Sequence, residues 1–111
     1  MTKKSVDVEI PGTASIGADR DAVVAIVLEV AEHEGLLVTL TTTHTSYPDS
    51  IHWHFKPQRR IRGVLDLTYW PDDGRLWLSV RAQDADWIGP AATALAASLG
   101  KALVGGQPSN S

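Results

Sequence analysis

The chain of 111 residues contains no cysteine, which removes disulfides, thiolate zinc ligands and thiol nucleophiles while leaving the compartment open. It has no apolar run approaching the ~20 residues that a membrane-spanning helix needs. Surplus positive charge is also missing. Ten Lys and Arg against thirteen Asp and Glu give a net charge of −3, which argues against general affinity for nucleic acid or anionic lipid, because counterion release is driven by excess Lys and Arg. There is no Gly-x-Ser-x-Gly turn and no Gly-x-Gly-x-x-Gly loop, and Gly100-Lys101-Ala102 lacks both the upstream glycine and the following Ser/Thr of a phosphate-binding loop. That stretch reads as helix surface. The basic start Met1-Thr2-Lys3-Lys4 leads into an alternating strand rather than the unbroken apolar stretch of a secretion signal, so the expected location is cytoplasmic and no membrane association is expected.

What is present fits one globular domain. A hydrophobic share of 43% with 21% charged residues belongs to neither a disordered nor a membrane chain. At this length the chain supports one core, expected over 1–104, followed by a flexible tail over 105–111. Ser5 to Ile10 alternates strictly and predicts a half-buried strand ended by Pro11-Gly12. Asp19 to His33 carries Val23, Val24, Ile26, Val27, Leu28, Val30 and Ala31 over more than half of a helical wheel, and Gly35 sits where a helix C-terminal glycine would. Four further strands are expected: Leu36 to Thr45, Ser50 to Phe55, Ile61 to Trp70 and Arg75 to Arg81. The last two are joined by the hairpin signal Pro71-Asp72-Asp73-Gly74. From Asp84 to about Val104, Ile88, Ala92, Leu95, Leu99 and Leu103 share one helical face, with Pro90 in the first turn.

The expected order is thus strand, helix, four strands, helix: a single α+β domain with one antiparallel sheet and two helices packed on one face. This order, over nearly the whole chain, resembles the TATA-binding-protein-like topology. It also resembles a trimmed helix-grip fold of the START and Bet v 1 proteins, whose long C-terminal helix closes over a curved sheet. No sequence motif accompanies the resemblance, and likeness of topology alone says little about function.

Strand alternation sorts the side chains by face. Val6, Val8, Ile10, Ile51, Trp53, Phe55, Ile61, Leu65, Leu67, Tyr69, Leu76, Leu78 and Val80 form the set expected to meet the helices, with Gly63 leaving room for a bulky neighbour. The other face carries His52, His54, Lys56, Arg62, Val64, Asp66, Thr68, Trp70, Arg75, Trp77, Ser79 and Arg81. In a two-residue-loop register Trp70 and Trp77 would stand opposite each other with nothing left in the chain to cover them.

The stretch Ser50-Ile51-His52-Trp53-His54-Phe55 puts two imidazoles on this second face, about 6 to 7 Å apart along the strand, a span one metal ion bridges. A third ligand would have to come from Asp66, or behind it Glu9 or His44; with no second cluster in the sequence, no metal or other cofactor is expected. His52 or His54 with Asp66 would equally serve as a base and its orienter, or as a structural hydrogen bond. Lys56, Arg59, Arg60 and Arg62 concentrate four basic residues in seven positions. Beside exposed tryptophans they would rim a stacking platform for single strands, although the net charge disfavours nucleic acid.

The function expected from these residues is a small non-catalytic interaction module. Its binding residues are His52, His54, Arg62, Asp66, Trp70 and Trp77, and its partner is a second copy of the chain seated on the tryptophans. The alternatives are a helix-grip-like pocket for a small apolar ligand, another protein as partner, or a sheet-face binder of single-stranded nucleic acid.

Overall fold

The computed structural model describes residues 5–11, 19–81 and 85–104. Its elements are β1 (Ser5–Glu9), α1 (Arg20–His33), β2 (Leu37–Thr42), β3 (Ile51–Lys56), β4 (Leu65–Trp70), β5 (Arg75–Arg81) and α2 (Ile88–Val104). The strands form one antiparallel sheet in the order β1-β5-β4-β3-β2, so the first strand closes against the last and the rest is a meander. This is the predicted α+β architecture. The tail expected over 105–111 lies outside the described residues.

Local chemistry accounts for the helix ends. Asp19 caps α1, its carboxylate accepting from the Ala22 amide at 3.1 Å. At the other end Gly35 adopts φ 78°, and the Gly35 and Leu36 amides donate to the Glu32 and Ala31 carbonyls, both at 2.9 Å. That is a Schellman close, and it requires the left-handed conformation glycine tolerates. Because α1 is rich in β-branched residues it depends on burial, and Val23, Val27 and Ala31 supply it. In α2, Ile88, Ala92, Leu95, Leu99 and Leu103 are buried, as their spacing predicts. Both helices meet Trp53, Phe55, Leu65, Leu67, Tyr69, Leu76 and Leu78 on one face of the sheet. At about 1.5–3 kcal/mol for each large apolar side chain buried, this layer dominates the stability. Ser98 of α2 donates to Glu34 beyond the end of α1 at 2.7 Å, joining the two helices at their surface.

Several boundaries differ from expectation for identifiable reasons. β4 begins at Leu65 rather than Ile61, because residues 61–64 form a bend in which Gly63 takes φ 90° and Lys56 donates to the Ile61 carbonyl. A Cβ on Gly63 would stand 3.0 Å from Ile88 Cδ1 and 3.3 Å from Ala85 Cβ, so this glycine lets the bend press against the start of α2. Trp87 seals the same contact by donating to the Arg62 carbonyl at 2.8 Å. α2 starts at Ile88, not Asp84, with the Ile88 amide donating to the Ala85 carbonyl in the turn before it. β2 is shorter than expected and bulges at Thr39, whose hydroxyl donates to the His54 carbonyl. Val6, expected among the core-facing residues, is 62% exposed because β1 is an edge strand whose first residues run past the helices' cover. No helix among the described residues is long and apolar enough to cross a membrane.

Candidate functional site

On the face turned away from the helices, the strand register lays out two cross-strand rows. One row runs Asp7, Ser79, Asp66, His54; the other runs Glu9, Trp77, Thr68, His52. Directly opposed residues in an antiparallel sheet hold their Cβ atoms about 4.5–5.5 Å apart, so His54 faces Asp66 and His52 faces Thr68 because the β3–β4 register is what it is. The His-x-His spacing along β3 then puts both imidazoles over the same carboxylate.

Trp70 pairs with Arg75, and Trp77 pairs with Thr68, which corrects the expected Trp70–Trp77 pairing. Pro71–Asp73 form a short 3-10 turn and Gly74 takes φ 62°, so the hairpin loop has four residues where a two-residue loop was expected. The parity is unchanged and the register moves by two residues.

Nor are the tryptophans left without cover. The β2–β3 connection folds back over this face through two successive turns: the Tyr47 amide donates to the His44 carbonyl at 2.9 Å, and the Ser50 amide to the Tyr47 carbonyl at 3.0 Å. Buried Ser50 ties the loop shut, its hydroxyl accepting from the His44 amide at 3.1 Å. Asp49 holds φ 65°, a conformation aspartate accepts more readily than most residues. The Tyr47 ring centroid then lies 5.0 Å from both Trp70 and Trp77. Trp70 Nε1 donates to the Pro48 carbonyl at 3.1 Å, and the Arg75 guanidinium, itself paired with Glu9, sits 4.3 Å above the Trp77 ring. Trp77 is 4% exposed as a result.

Loop and sheet together bound a cavity of about 370 Å³, lined among others by His44, Tyr47, His52, His54, Asp66, Thr68, Trp77, Ser79 and Arg81. Asp66 is its floor, with only 6% of its side chain exposed. Arg81 donates to Asp66 Oδ2 at 3.0 Å. His54 Nε2 lies 3.0 Å and His52 Nε2 3.6 Å from Oδ1, yet that oxygen accepts no hydrogen bond of acceptable geometry from any described residue. His52 Nδ1 is 2.7 Å from the buried Thr68 hydroxyl.

Burial pushes His54 below the ordinary histidine range; the Asp66 carboxylate opposes that, and His52 and Arg81 add to it. Burial alone would raise the Asp66 pKa, but the polar approach of His52 and the charges of His54, His52 and Arg81 outweigh it and hold the carboxyl below the ordinary aspartate range. The site is an ionised, buried carboxylate with a fixed cation on one oxygen and two imidazoles over the other.

Of the expected binding residues, His52, His54, Asp66 and Trp77 come together around this cavity, and Trp70 flanks it through Tyr47. Arg62 does not. It lies in the exposed β3–β4 bend, beyond the opposite end of β4 from Trp70. The five residue steps from Leu65 to Trp70 span about 17 Å at 3.3–3.4 Å each, and Lys56 is turned to its own bend by its bond to Ile61. The basic cluster and the aromatic residues therefore do not form one platform. Glu9 is held by Arg75 and His44 lies edge-on to His52 with 5.6 Å between centroids, so neither completes a ligand set with Asp66. Arg81, Thr68 and Ser79 were legible by parity as residues of this face, whereas Tyr47 and His44 come from a loop whose path the strand pattern does not specify. The available signal for Tyr47 was an aromatic ring in an otherwise polar turn.

Comparison with known proteins finds no matching family model, no matching curated protein and no matching solved structure.

Proposed function

We propose that this protein binds a small molecule in the loop-covered cavity on the face of the sheet opposite the helices. The observation that carries this reading is the cavity itself. About 370 Å³ is within the usual range of small-ligand pockets, and the combination of aromatic wall and a few convergent polar groups is their usual chemistry. Tyr47 and the edge of the buried Trp77 ring close one end, and His52, His54, Asp66 and Arg81 offer donors and acceptors at the other. The middle of the layer between helices and sheet is filled by side chains such as Trp53, Phe55 and Leu95, with almost no exposed surface, and the space left for a helix-grip-like apolar ligand is a groove of about 570 Å³ at the edge of that layer, beside Val24 and Leu28 of α1 and Val38 of β2. A ligand with an aromatic body and a compact polar head suits the cavity.

The test is a fragment library screened by amide and indole NMR. Shifts clustered on His52, His54, Thr68, Trp77 and Ser79 support the pocket; shifts confined to the groove beside Val24, Leu28 and Val38, or none at all, would end it.

Self-association stands as a second reading, carried by a different surface. Leu37, Val38 and Leu40 are exposed along β2, an edge strand with unpaired backbone groups on its outer side. A dimer formed there would be dissociated by Leu40→Lys and left intact by Trp70→Ala, which light scattering distinguishes.

A further inference from the structure

We infer that His52, His54 and Asp66 form a binding site for one divalent first-row transition ion, coordinated by the Nε2 atoms of both histidines and by Asp66 Oδ1. The inference extends the pocket reading to its polar end and rests on it for the open side of the site.

Three independent features of the geometry converge. The first is spacing. One donor atom from each of the three residues lies within 4.8 Å of the others, and the two distances to Oδ1 are 3.0 and 3.6 Å. Donor atoms bound at 2.0–2.1 Å to a common ion stand about 3.0–3.5 Å apart, so both carboxylate–imidazole distances are already close to coordination values, while the two imidazoles, up to 4.8 Å apart, have to turn toward each other to share the ion.

The second feature is Asp66 Oδ1 itself. It belongs to a side chain nine-tenths buried, it is aimed into the cavity, and no described donor completes a hydrogen bond to it although an imidazole nitrogen stands 3.0 Å away. A buried carboxylate oxygen without a partner is costly and calls for an explanation. A cation held jointly with two imidazole lone pairs removes the cost, because all three donor atoms then point at one centre rather than at one another.

The third feature is the layer behind the ligands. Arg81 holds Oδ2 at 3.0 Å and leaves Oδ1 facing the cavity. Thr68 Oγ1, 2.7 Å from His52 Nδ1, is placed to accept the Nδ1 proton and so keep the Nε2 lone pair free for a metal. Outer hydrogen bonds of this kind are what orient metal-bound histidines and carboxylates. Two imidazoles select transition ions over Ca²⁺ and Mg²⁺, which prefer oxygen. With three protein donors on the sheet, the remaining coordination positions face the cavity, where a ligand's polar head would reach them.

Zinc is the probe. Calorimetric titration of the chelator-treated full chain with Zn²⁺ should give one saturable site, absent with Mg²⁺. His54→Ala and Asp66→Asn should abolish it, whereas His33→Ala should leave it intact. Thr68→Val should weaken it by about 10–100-fold. The wild-type protein alone supplies a second readout that no folding defect obscures: in long-range ¹H–¹⁵N spectra, zinc should shift the Nε2 resonances of His52 and His54 while His52 Nδ1 remains protonated. Unshifted ring nitrogens, or a site that survives in Asp66→Asn, would overturn the inference. If fragments still bind beside Trp77 in that case, the pocket stands without the metal; if neither fragments nor zinc bind, both readings fall together.

Discussion

The two faces of the sheet contain the same kinds of large side chain and put them to different uses. On the helix side Trp53 and Phe55 stack with 6.4 Å between ring centroids and 21° between planes, buried among leucines. On the other side Trp77 is nearly as buried, but its neighbours are Tyr47, the Arg75 guanidinium and the Thr68 row. One face is covered by two helices that reach it through regular apolar spacing. The other is covered by a single loop of eight residues between β2 and β3, closed on itself by Ser50. Burial alone does not separate a core from a site; the chemistry of the covering element does. A helical layer contributes dispersion and desolvation over a wide area, while a loop covers only part of a face and leaves room for polar side chains to converge.

The sharpest way to break this contrast is to remove one ring from each face. Trp53→Ala, in the helix-packed layer, should lower the unfolding free energy by about 3–5 kcal/mol in urea melts. Trp77→Ala, which removes a ring held under a single loop, should cost clearly less. Equal costs would mean that the loop-covered face is structurally a second core.

Gly63→Ala tests the close approach on which the helix side depends. The left-handed backbone and the 3.0 Å approach to Ile88 predict a loss of about 1–3 kcal/mol, with the cavity chemistry unchanged; a neutral result would show that the bend relaxes freely. Tyr47→Ala tests the loop side. Its cost should be about 1 kcal/mol, and tryptophan emission should move to longer wavelength with stronger acrylamide quenching as Trp77 meets water. Unaltered emission would mean that the loop does not cover the ring.

The smallest expected effect is on pH dependence. His54 and Asp66 both bind protons less readily in the folded chain, so the unfolded state takes up more protons as the pH falls and stability declines with it. For His54 the contribution is complete above its ordinary value of 6.5 and is lost as the pH drops through its lowered folded value. For Asp66 the loss begins below 3.8 and continues through its own depressed value. In chelator-treated protein, His54→Gln should flatten the first decline and Asp66→Asn the second. A stability that rises on acidification would contradict both assignments.

The helix-facing layer was legible from the sequence because period-2 and period-3.6 patterns report burial directly: the apolar residues of β3, β4, β5 and α2 all point where alternation and helical spacing put them. The polar face was legible only as a set. Parity placed His52, His54, Asp66, Thr68 and Trp77 together, but which residues stand opposite one another depends on the hairpin loop. There the 3-10 turn at Pro71 shifted the register by two residues. What the pattern could not carry was the cover. A loop's path follows from turn hydrogen bonds such as Ser50 to His44 and from one positive φ at Asp49, and neither leaves a periodic trace. The expectation of bare tryptophans awaiting a second chain arose from that gap.

The central claim is that the chain covers its own polar face, and nuclear Overhauser contacts read this directly. In uniformly labelled protein, the Tyr47 ring should show contacts to the indoles of both Trp70 and Trp77, consistent with centroid separations of 5.0 Å. In a mixture of labelled and unlabelled chains, no contact to either indole should cross between molecules. Intermolecular contacts at Trp77, or an absence of contacts from Tyr47 to either tryptophan, would contradict the account.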